Sequence, residues 1–255
     1  MFTPRKTLLS VSKDAKTIKG TKSGFLTGIL YFAPAKVSGF EVCPKSSAGC
    51  RAACLYTAGR GIYTQVQNGR INRTVWFFEH RESFMATIVD DIKRLVRKAK
   101  RDGLIPAVRL NGTSDIAWEK IRVVKDGVSY RNIMTAFETV QFYDYSKVLG
   151  RASAVALPNY HLTFSLAEDN DADAQEALEQ GYNVAVVVNT KRKEVKPSMW
   201  GGYPTVNGDE HDVRFLDPKG GHVVLLTAKG KARYDDSGFV RGVNARFRIP
   251  LTIAA

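Results

Sequence analysis

The chain has 255 residues, of which 44% are hydrophobic, and this composition excludes a disordered tail protein. Lys and Arg number 38 against 25 Asp and Glu, which gives a formal net charge of +13. No apolar run approaches the roughly 18 residues that a membrane span needs, and the first residues lack the apolar stretch of a signal peptide. We therefore expect a cytoplasmic protein with one domain over 1–255, no membrane contact, and a polyanion such as nucleic acid as its partner.

The cysteines are concentrated in one short segment. An N-terminal extension over 1–40 precedes a loop-like segment over 41–60, which contains Cys43, Cys50 and Cys54. Their odd number and a reducing cytoplasm disfavour disulfides. Three thiolates on one loop can hold zinc or an iron–sulfur cluster, and three half-buried structural thiols are the alternative. A fourth zinc ligand would come from one of the histidines His80, His161, His211 or His222.

The first half of the chain predicts a strand and then helices. An apolar run over 25–33 predicts a strand or hairpin. Two helices follow the cysteine segment, and the clearer one begins at Ser83, a good N-cap, and ends at Gly103. The polar face of this helix is either a solvated face or a phosphate-binding face, and it carries Lys93, Arg94, Arg97 and Lys98.

From here strands and helices alternate. The pattern predicts strands over 105–110, 140–143, 160–166, 184–188 and 222–227, and helices over 116–124, 132–138 and 170–180. Such alternation over about 250 residues predicts an α/β fold, specifically a single-domain (β/α) barrel that is either complete or a distorted TIM barrel. A doubly wound open sheet is the alternative. No nucleotide-binding glycine motif follows a strand.

Polar residues follow the predicted strands, where the active sites of barrels lie. Arg109, Asn111 and Ser114 are substrate-binding candidates at the end of the strand over 105–110. Asp115 in the same turn is a candidate general acid or a helix N-cap.

Two later strand ends carry further substrate-binding candidates. Tyr143, Asp144 and Lys147 would form a base-stacking wall with polar groups, unless they only cap the strand. Ser165 and Glu168 follow the next strand and are candidates for the same pocket.

The segment over 207–212 concentrates acidic groups late in the chain. Asp209 and Asp212 are candidates for a nucleophile, a general acid/base or a metal ligand, and a solvated acidic turn is the alternative. We therefore expect an acidic pocket beneath a basic exterior, which favours an enzyme that modifies nucleic acid over a simple binding protein.

Four motifs in a fixed order form a specific set between about residues 40 and 232. They are the cysteine loop with Tyr56 and Gly59, Arg109-x-Asn111-Gly112-x-Ser114-Asp115, Phe142-Tyr143-x-Tyr145-Ser146-Lys147, and Asp209-x-x-Asp212-x-Arg214-x-x-Asp217-Pro218 with Ala228-Lys229-Gly230. This set resembles the phage gene product 88 family, which would place the protein in the host cytoplasm.

Size, charge and the expected barrel are similar to those of the short phage relatives of tRNA-guanine transglycosylase that act on DNA. This resemblance implies a glycosyltransferase that exchanges guanine in DNA for a 7-deazaguanine base such as preQ0. The chemistry needs an aspartate nucleophile, a second aspartate as general acid/base, and a pocket for a base flipped out of double-stranded DNA. Asp209 or Asp212 suits the nucleophile and Asp115 the acid. The chain lacks the late Cys-x-Cys-x-x-Cys zinc motif of the tRNA enzymes.

Two alternatives explain the cysteines differently. Three cysteines early in a barrel are similar to the Cys-x3-Cys-x2-Cys loop of radical S-adenosylmethionine enzymes, although the spacing here is x6 and x3. The other alternative is a DNA-binding protein without enzymatic activity, in which a metal ion holds the loop and the acidic groups are caps and ion pairs.

Overall fold

The structure is a computed structural model that describes residues 7–12, 15–151, 157–191 and 194–248. The strands are β1 (Leu9–Val11), β2 (Phe25–Leu30), β3 (Ile105–Arg109), β4 (Val123–Lys125), β5 (Val128–Tyr130), β6 (Gln141–Ser146), β7 (Tyr160–Ser165), β8 (Val184–Val188), β9 (Met199–Trp200), β10 (Tyr203–Asn207) and β11 (Val223–Thr227). The α-helices are α1 (Ala15–Lys22), α2 (Ala48–Ala52), α3 (Thr64–Glu79), α4 (Arg81–Arg101), α5 (Ile133–Ala136) and α6 (Asp171–Glu179). Short 3₁₀ helices lie at Leu55–Thr57, Gly59–Ile62, Trp118–Lys120, Arg214–Leu216 and Gly230–Tyr234.

A single open sheet organises the molecule. Its nine strands follow the order β1-β2-β3-β6-β7-β8-β11-β10-β9, and β4 and β5 form a separate hairpin. The seven inner strands of this order, β2, β3, β6, β7, β8, β11 and β10, run parallel to one another. The two edge strands β1 and β9 are antiparallel to their neighbours. In the described part of the chain the two edge strands do not pair with each other. The predicted barrel is therefore wrong, because barrel closure requires the first and last strands to pair. The open-sheet alternative agrees with this topology.

The two faces of the sheet are covered differently. Leu26, Leu30 and Val108 point to one face, where they join the main hydrophobic core with α3 and α4. The opposite face carries Arg109, because side chains alternate along a strand. Near the amino ends of the strands, α1 and the segment at Arg214–Leu216 cover this second face. The carboxyl ends of the strands on the second face remain accessible to a ligand.

The predicted helix is present as α4, with Phe84, Ile88, Ile92 and Leu95 buried. It begins two residues before the predicted N-cap, because Ser83 lies in its first turn and its hydroxyl donates to the carbonyl of His80. Its end agrees with the prediction, since Gly103 has a φ of 66°.

The basic face of α4 is largely neutralised. Lys93 pairs with Asp126 at 2.5 Å and Lys98 with Asp102 at 2.5 Å. Arg94 pairs with Asp91 on the same helix. This pairing favours the solvated-face interpretation over a phosphate-binding face.

Most predicted strands are present, together with the helix α6 that ends before Gly181. The predicted helix over 116–124 is wrong, because this segment contains a 3₁₀ turn and β4. The side chain of Asn111 accepts hydrogen bonds from the Ile116 amide and the Ser114 hydroxyl, which satisfies the turn without a helix. No helix in the described residues is long and apolar enough to cross a membrane.

Candidate functional site

A cavity of about 280 Å³ lies at the carboxyl edge of the parallel sheet. The strands β3, β6, β7, β8 and β11 all contribute residues to its lining, and so does the loop that follows β2. Ten of the residues predicted for the site line this cavity: Cys43, Cys50, Cys54, Arg109, Asn111, Ser114, Asp115, Lys147, Ser165 and Asp212. Tyr143, Asp144, Glu168 and Asp209 are outside its lining. The fold thus brings together strand ends that are far apart in sequence, while the roles of these residues stay predictions.

All three cysteines are on the loop side of the cavity. Burial, together with smaller effects of the nearby Cys54 and Cys50, raises the pKa of Cys43 to about 12. Burial also raises the pKa of Cys50 and Cys54. The thiols are therefore close enough to influence one another, and they are neutral until a cation stabilises their thiolates.

The cysteine loop is fixed to the end of β7 by Glu168. The carboxylate of Glu168 accepts hydrogen bonds from the Ser47 hydroxyl and from the Gly49 amide, both at 2.6 Å. Ser47 is the N-cap of α2, and its side chain accepts from the Cys50 amide. These hydrogen bonds lower the pKa of Glu168 against the opposing effect of its burial. Glu168 therefore positions the helix that carries Cys50, and its role as a substrate ligand stays a prediction.

The turn after β3 is fixed to the same loop. The amide of Asp115 donates to the carbonyl of Val42 at 2.7 Å, and the Cys43 thiol lies 3.8 Å from the carbonyl of Thr113. The carboxylate of Asp115 forms an ion pair with Arg151 at 2.6 Å and accepts from the Lys147 amide at 2.9 Å. Asp115 therefore lines the cavity with both oxygens engaged, and it is not an N-cap of a helix.

A buried ion pair lies on the second face of the sheet, the face that carries Arg109. Arg109 is 5% exposed and its guanidinium lies 3.2 Å from Asp212. The ring of Tyr145 packs against this guanidinium, with the ring centre 4.6 Å away. Burial raises the pKa of Asp212, but Lys16 and Arg109 outweigh this effect and hold it below its ordinary value. Asp212 is therefore an ionised carboxylate whose charge is balanced by the neighbouring cations.

Lys147 points across the cavity from the end of β6. Its ammonium group donates to the Ser165 hydroxyl at 2.8 Å and to the carbonyls of Ser165 and Leu166. The charge of Lys147 lowers the pKa of Cys50 against the larger effect of burial. This position suits a cation that offsets negative charge on the cysteine loop.

The aromatic residue of β6 that lines the cavity differs from the predicted one. Tyr143 is buried beneath Phe215, with ring centres 5.4 Å apart, and Tyr145 contacts the cavity in its place. Asp144 faces away from the cavity and accepts from the amide of Asn111 at 2.7 Å. Burial raises the pKa of Asp144 to about 7. Tyr143 therefore lies on the same face as Tyr145, with its hydroxyl 3.4 Å from Asp212, and Asp144 supports the site from the opposite face of the sheet.

The expected acidic pocket is not what the structure shows. Asp115 and Asp212 are the carboxylates among the lining residues, against five cations, which are Lys16, Lys19, Arg109, Lys147 and Lys229. Lys16 and Lys19 were missed by the sequence analysis, although their three-residue spacing places them on one face of a helix. The missed residue Phe239 comes from a segment without a regular element, so no periodicity indicates it.

A metal ion has candidate ligands here but no completed set. Within the described residues, no three Cys, His, Asp or Glu side chains are grouped closely enough to hold a metal ion. Of the histidines, His211 lines the cavity, but its Nδ1 lies 3.1 Å from the Arg214 guanidinium. Three thiols on one loop suit either an iron–sulfur cluster with one iron not bound by protein or a zinc ion that keeps water as its fourth ligand.

The fold and the cavity define an α/β protein with an open parallel sheet and a three-cysteine site at its carboxyl edge. The sequence model of the family described as Gene product 88 matches residues 7–242. The chain therefore belongs to the phage gene product 88 family, and the match extends beyond the motifs that predicted it. None of the curated proteins and none of the solved structures compared with the chain matches it.

Proposed function

We propose that this chain is an iron–sulfur enzyme of the host cytoplasm that resembles radical S-adenosylmethionine enzymes. The observation that carries the proposal is the convergence of Cys43, Cys50 and Cys54 on one cavity at the carboxyl edge of a parallel sheet. When bound, a cluster with three protein thiolates leaves one iron open to a cosubstrate and supplies one-electron chemistry. The resemblance implies S-adenosylmethionine as that cosubstrate.

The charges around the cysteines support this assignment. Lys147 and Arg51 lower the pKa of Cys50, and Arg70 lowers that of Cys54, although burial dominates in both. Three thiolates and a cluster carry net negative charge, which these cations would offset. Glu168 and Ser47 hold the start of α2 in place, so Cys50 is on an ordered helix while the three thiols would have to move closer together to bind a cluster.

The exchange of guanine in DNA stays a prediction, and the site geometry favours it less. An aspartate nucleophile needs an oxygen that is free to attack. Asp115 is engaged by Arg151, Asp212 by Arg109, and Asp209 is bonded to two lysines. The non-enzymatic alternative agrees with these ion-paired aspartates, but it gives no role to the cavity beside the cysteines.

Metal analysis of protein purified without oxygen tests the proposal. We expect a brown protein that absorbs near 400 nm, an order-of-magnitude expectation for thiolate-to-iron charge transfer, with about four iron atoms and about four sulfides per chain. Cys43→Ala, Cys50→Ala and Cys54→Ala should each lose most of the iron. Ser46→Ala is the matched control, because Ser46 lines the same cavity without a thiol.

Two results would contradict the iron–sulfur assignment. One is a colourless protein without iron, or with zinc in its place. The other is incorporation of labelled guanine or preQ0 into DNA by the metal-free protein with loss of that activity in Asp212→Asn, which would restore the transglycosylase hypothesis.

A further inference from the structure

Two neighbouring segments beside the cavity form a basic surface, which we call the rim: residues 51–63 and 229–234. The segments are in contact, since a Cβ added to Gly230 would lie 3.0 Å from the Cβ of Ala58. Both contribute to the cavity, through Leu55 on one side and Ala232 on the other. The rim therefore borders the opening above the cysteines.

The rim carries positive charge without acidic residues. Its sequence contains five cations and no Asp or Glu, the cations being Arg51, Arg60, Lys229, Lys231 and Arg233. Lys229 pairs with Asp209 at 2.8 Å, and Arg51 lies 3.9 Å from Glu41. Arg60, Lys231 and Arg233 form no ion pair with any residue that the structure describes.

Aromatic side chains are exposed among these charges. Tyr234 is 88% exposed and Tyr63 is 60% exposed, and Ile62 beside Tyr63 is also exposed. An exposed ring beside a cation offers a flat face on which a base can stack. Cations interleaved with exposed aromatic rings match the surfaces that bind single-stranded nucleic acid, where the cations contact phosphates and the rings stack on bases.

We propose that the rim binds a single strand of nucleic acid and delivers one base to the three-cysteine cavity. The delivery of a base for reaction rests on the proposed function, whereas the binding of the strand by the rim does not. A base in a duplex is stacked and paired, so only an unpaired base can enter a cavity of about 280 Å³. The rim thus replaces the basic face of α4 as the nucleic-acid interface, because the cations of α4 are largely paired with carboxylates.

The test is fluorescence polarisation with a labelled mixed-sequence DNA oligonucleotide, its RNA counterpart and the matching DNA duplex. We expect either single strand to bind more tightly than the duplex. Arg60→Ala with Lys231→Ala and Arg233→Ala should weaken binding by about ten- to a hundredfold at low salt, and should reduce the slope of log K against log salt by about 2. Arg97→Ala with Lys100→Ala and Arg101→Ala removes the same charge from α4 and should change the affinity by less than about twofold.

Stacking is tested at a single residue. Tyr234→Ala should weaken binding by about tenfold, whereas Tyr234→Phe keeps the ring and should bind like the wild type. Equal losses in the rim and α4 variants, preference for the duplex, or no binding would overturn the proposal. Iron content is measured on each variant. Protein that contains iron but binds no strand contradicts only the proposed binding by the rim. Protein that binds the strand but contains no iron contradicts only the proposed cluster.

Discussion

Asp209, a predicted catalytic residue, is held by several hydrogen bonds outside the lining of the cavity. Its carboxylate accepts from Lys196 at 2.6 Å, from Lys229 at 2.8 Å and from the amide of Thr227 at 2.9 Å. Burial raises the pKa of Asp209, but these hydrogen bonds outweigh the burial and hold it well below the ordinary value. Asp209 therefore ties the turn after β10 to the end of β11 and to the segment that precedes β9.

Replacing Asp209 should cost stability in a pH-dependent way. Asp209→Asn should lower the free energy of unfolding by about 2–3 kcal/mol at pH 7, because Lys196 stays buried without its counter-charge. The stabilisation by the carboxylate is present above its unfolded pKa of about 3.9 and is lost as the pH falls through the lower folded value. The difference between wild type and variant should therefore shrink between pH 4 and pH 2.

Urea unfolding at several pH values measures this difference. The exposed Asp236→Asn is the matched control and should leave the stability unchanged within about 0.5 kcal/mol. A difference for Asp209→Asn that stays constant down to pH 2 would mean that its ion pairs do not stabilise the fold.

At the level of elements, the turn after β3 depends on a close backbone approach. The amide of Gly112 donates to the carbonyl of Leu30 at 2.9 Å. A Cβ on Gly112 would lie 2.6 Å from that same oxygen and 2.6 Å from the ring of Tyr31. The position therefore excludes any side chain, and this brings Asn111 and Asp115 against the cysteine loop.

Gly112→Ala should be destabilised by about 1–3 kcal/mol, because the contact is with backbone that cannot move aside cheaply. Gly242→Ala is the control, since its added Cβ would meet only Ala245 at 3.9 Å. Thermal or urea unfolding of both variants measures the effect, and equal stability of the two would show that the turn can relax.

For the whole molecule, the sequence predicts the α/β class of fold but not whether the sheet closes into a barrel. Strands such as β7, β8 and β11 have strong apolar patterns, so periodicity finds them. The edge strands β1 and β9 have three and two residues, which is too short to carry a period. Whether a parallel sheet closes is decided by pairing at these edges, and local patterns do not contain that information.

The site shows the same division. The rule that function gathers at strand ends brings together Arg109, Lys147 and Ser165 correctly, because parallel strands end at one edge. It does not reveal which neighbours neutralise a group, as Arg151 does for Asp115. The pairing of a turn with a residue 36 positions later depends on tertiary packing and not on sequence spacing.

A bound metal should also stabilise the whole molecule. The cysteine loop contacts the ends of β3 and β7, so a metal ion that joins Cys43 to Cys50 and Cys54 constrains a loop between distant strands. Under the proposed iron–sulfur assignment, removing the iron should lower the melting temperature by about 5 °C. Differential scanning fluorimetry before and after chelation measures this shift, and Cys50→Ala should show none. An unchanged melting temperature in wild type would argue against a metal-linked loop.

The order of strands in the sheet has a consequence for synthesis on the ribosome. From β2 to β8 and on to β11, each strand of the sheet joins the one formed before it, so a growing nascent chain can extend the sheet one strand at a time. The strand β10 departs from this order, because it pairs with β11, which follows it in the chain. During translation β10 can pair only with the two-residue strand β9 until β11 has emerged, so its other edge stays open during this interval.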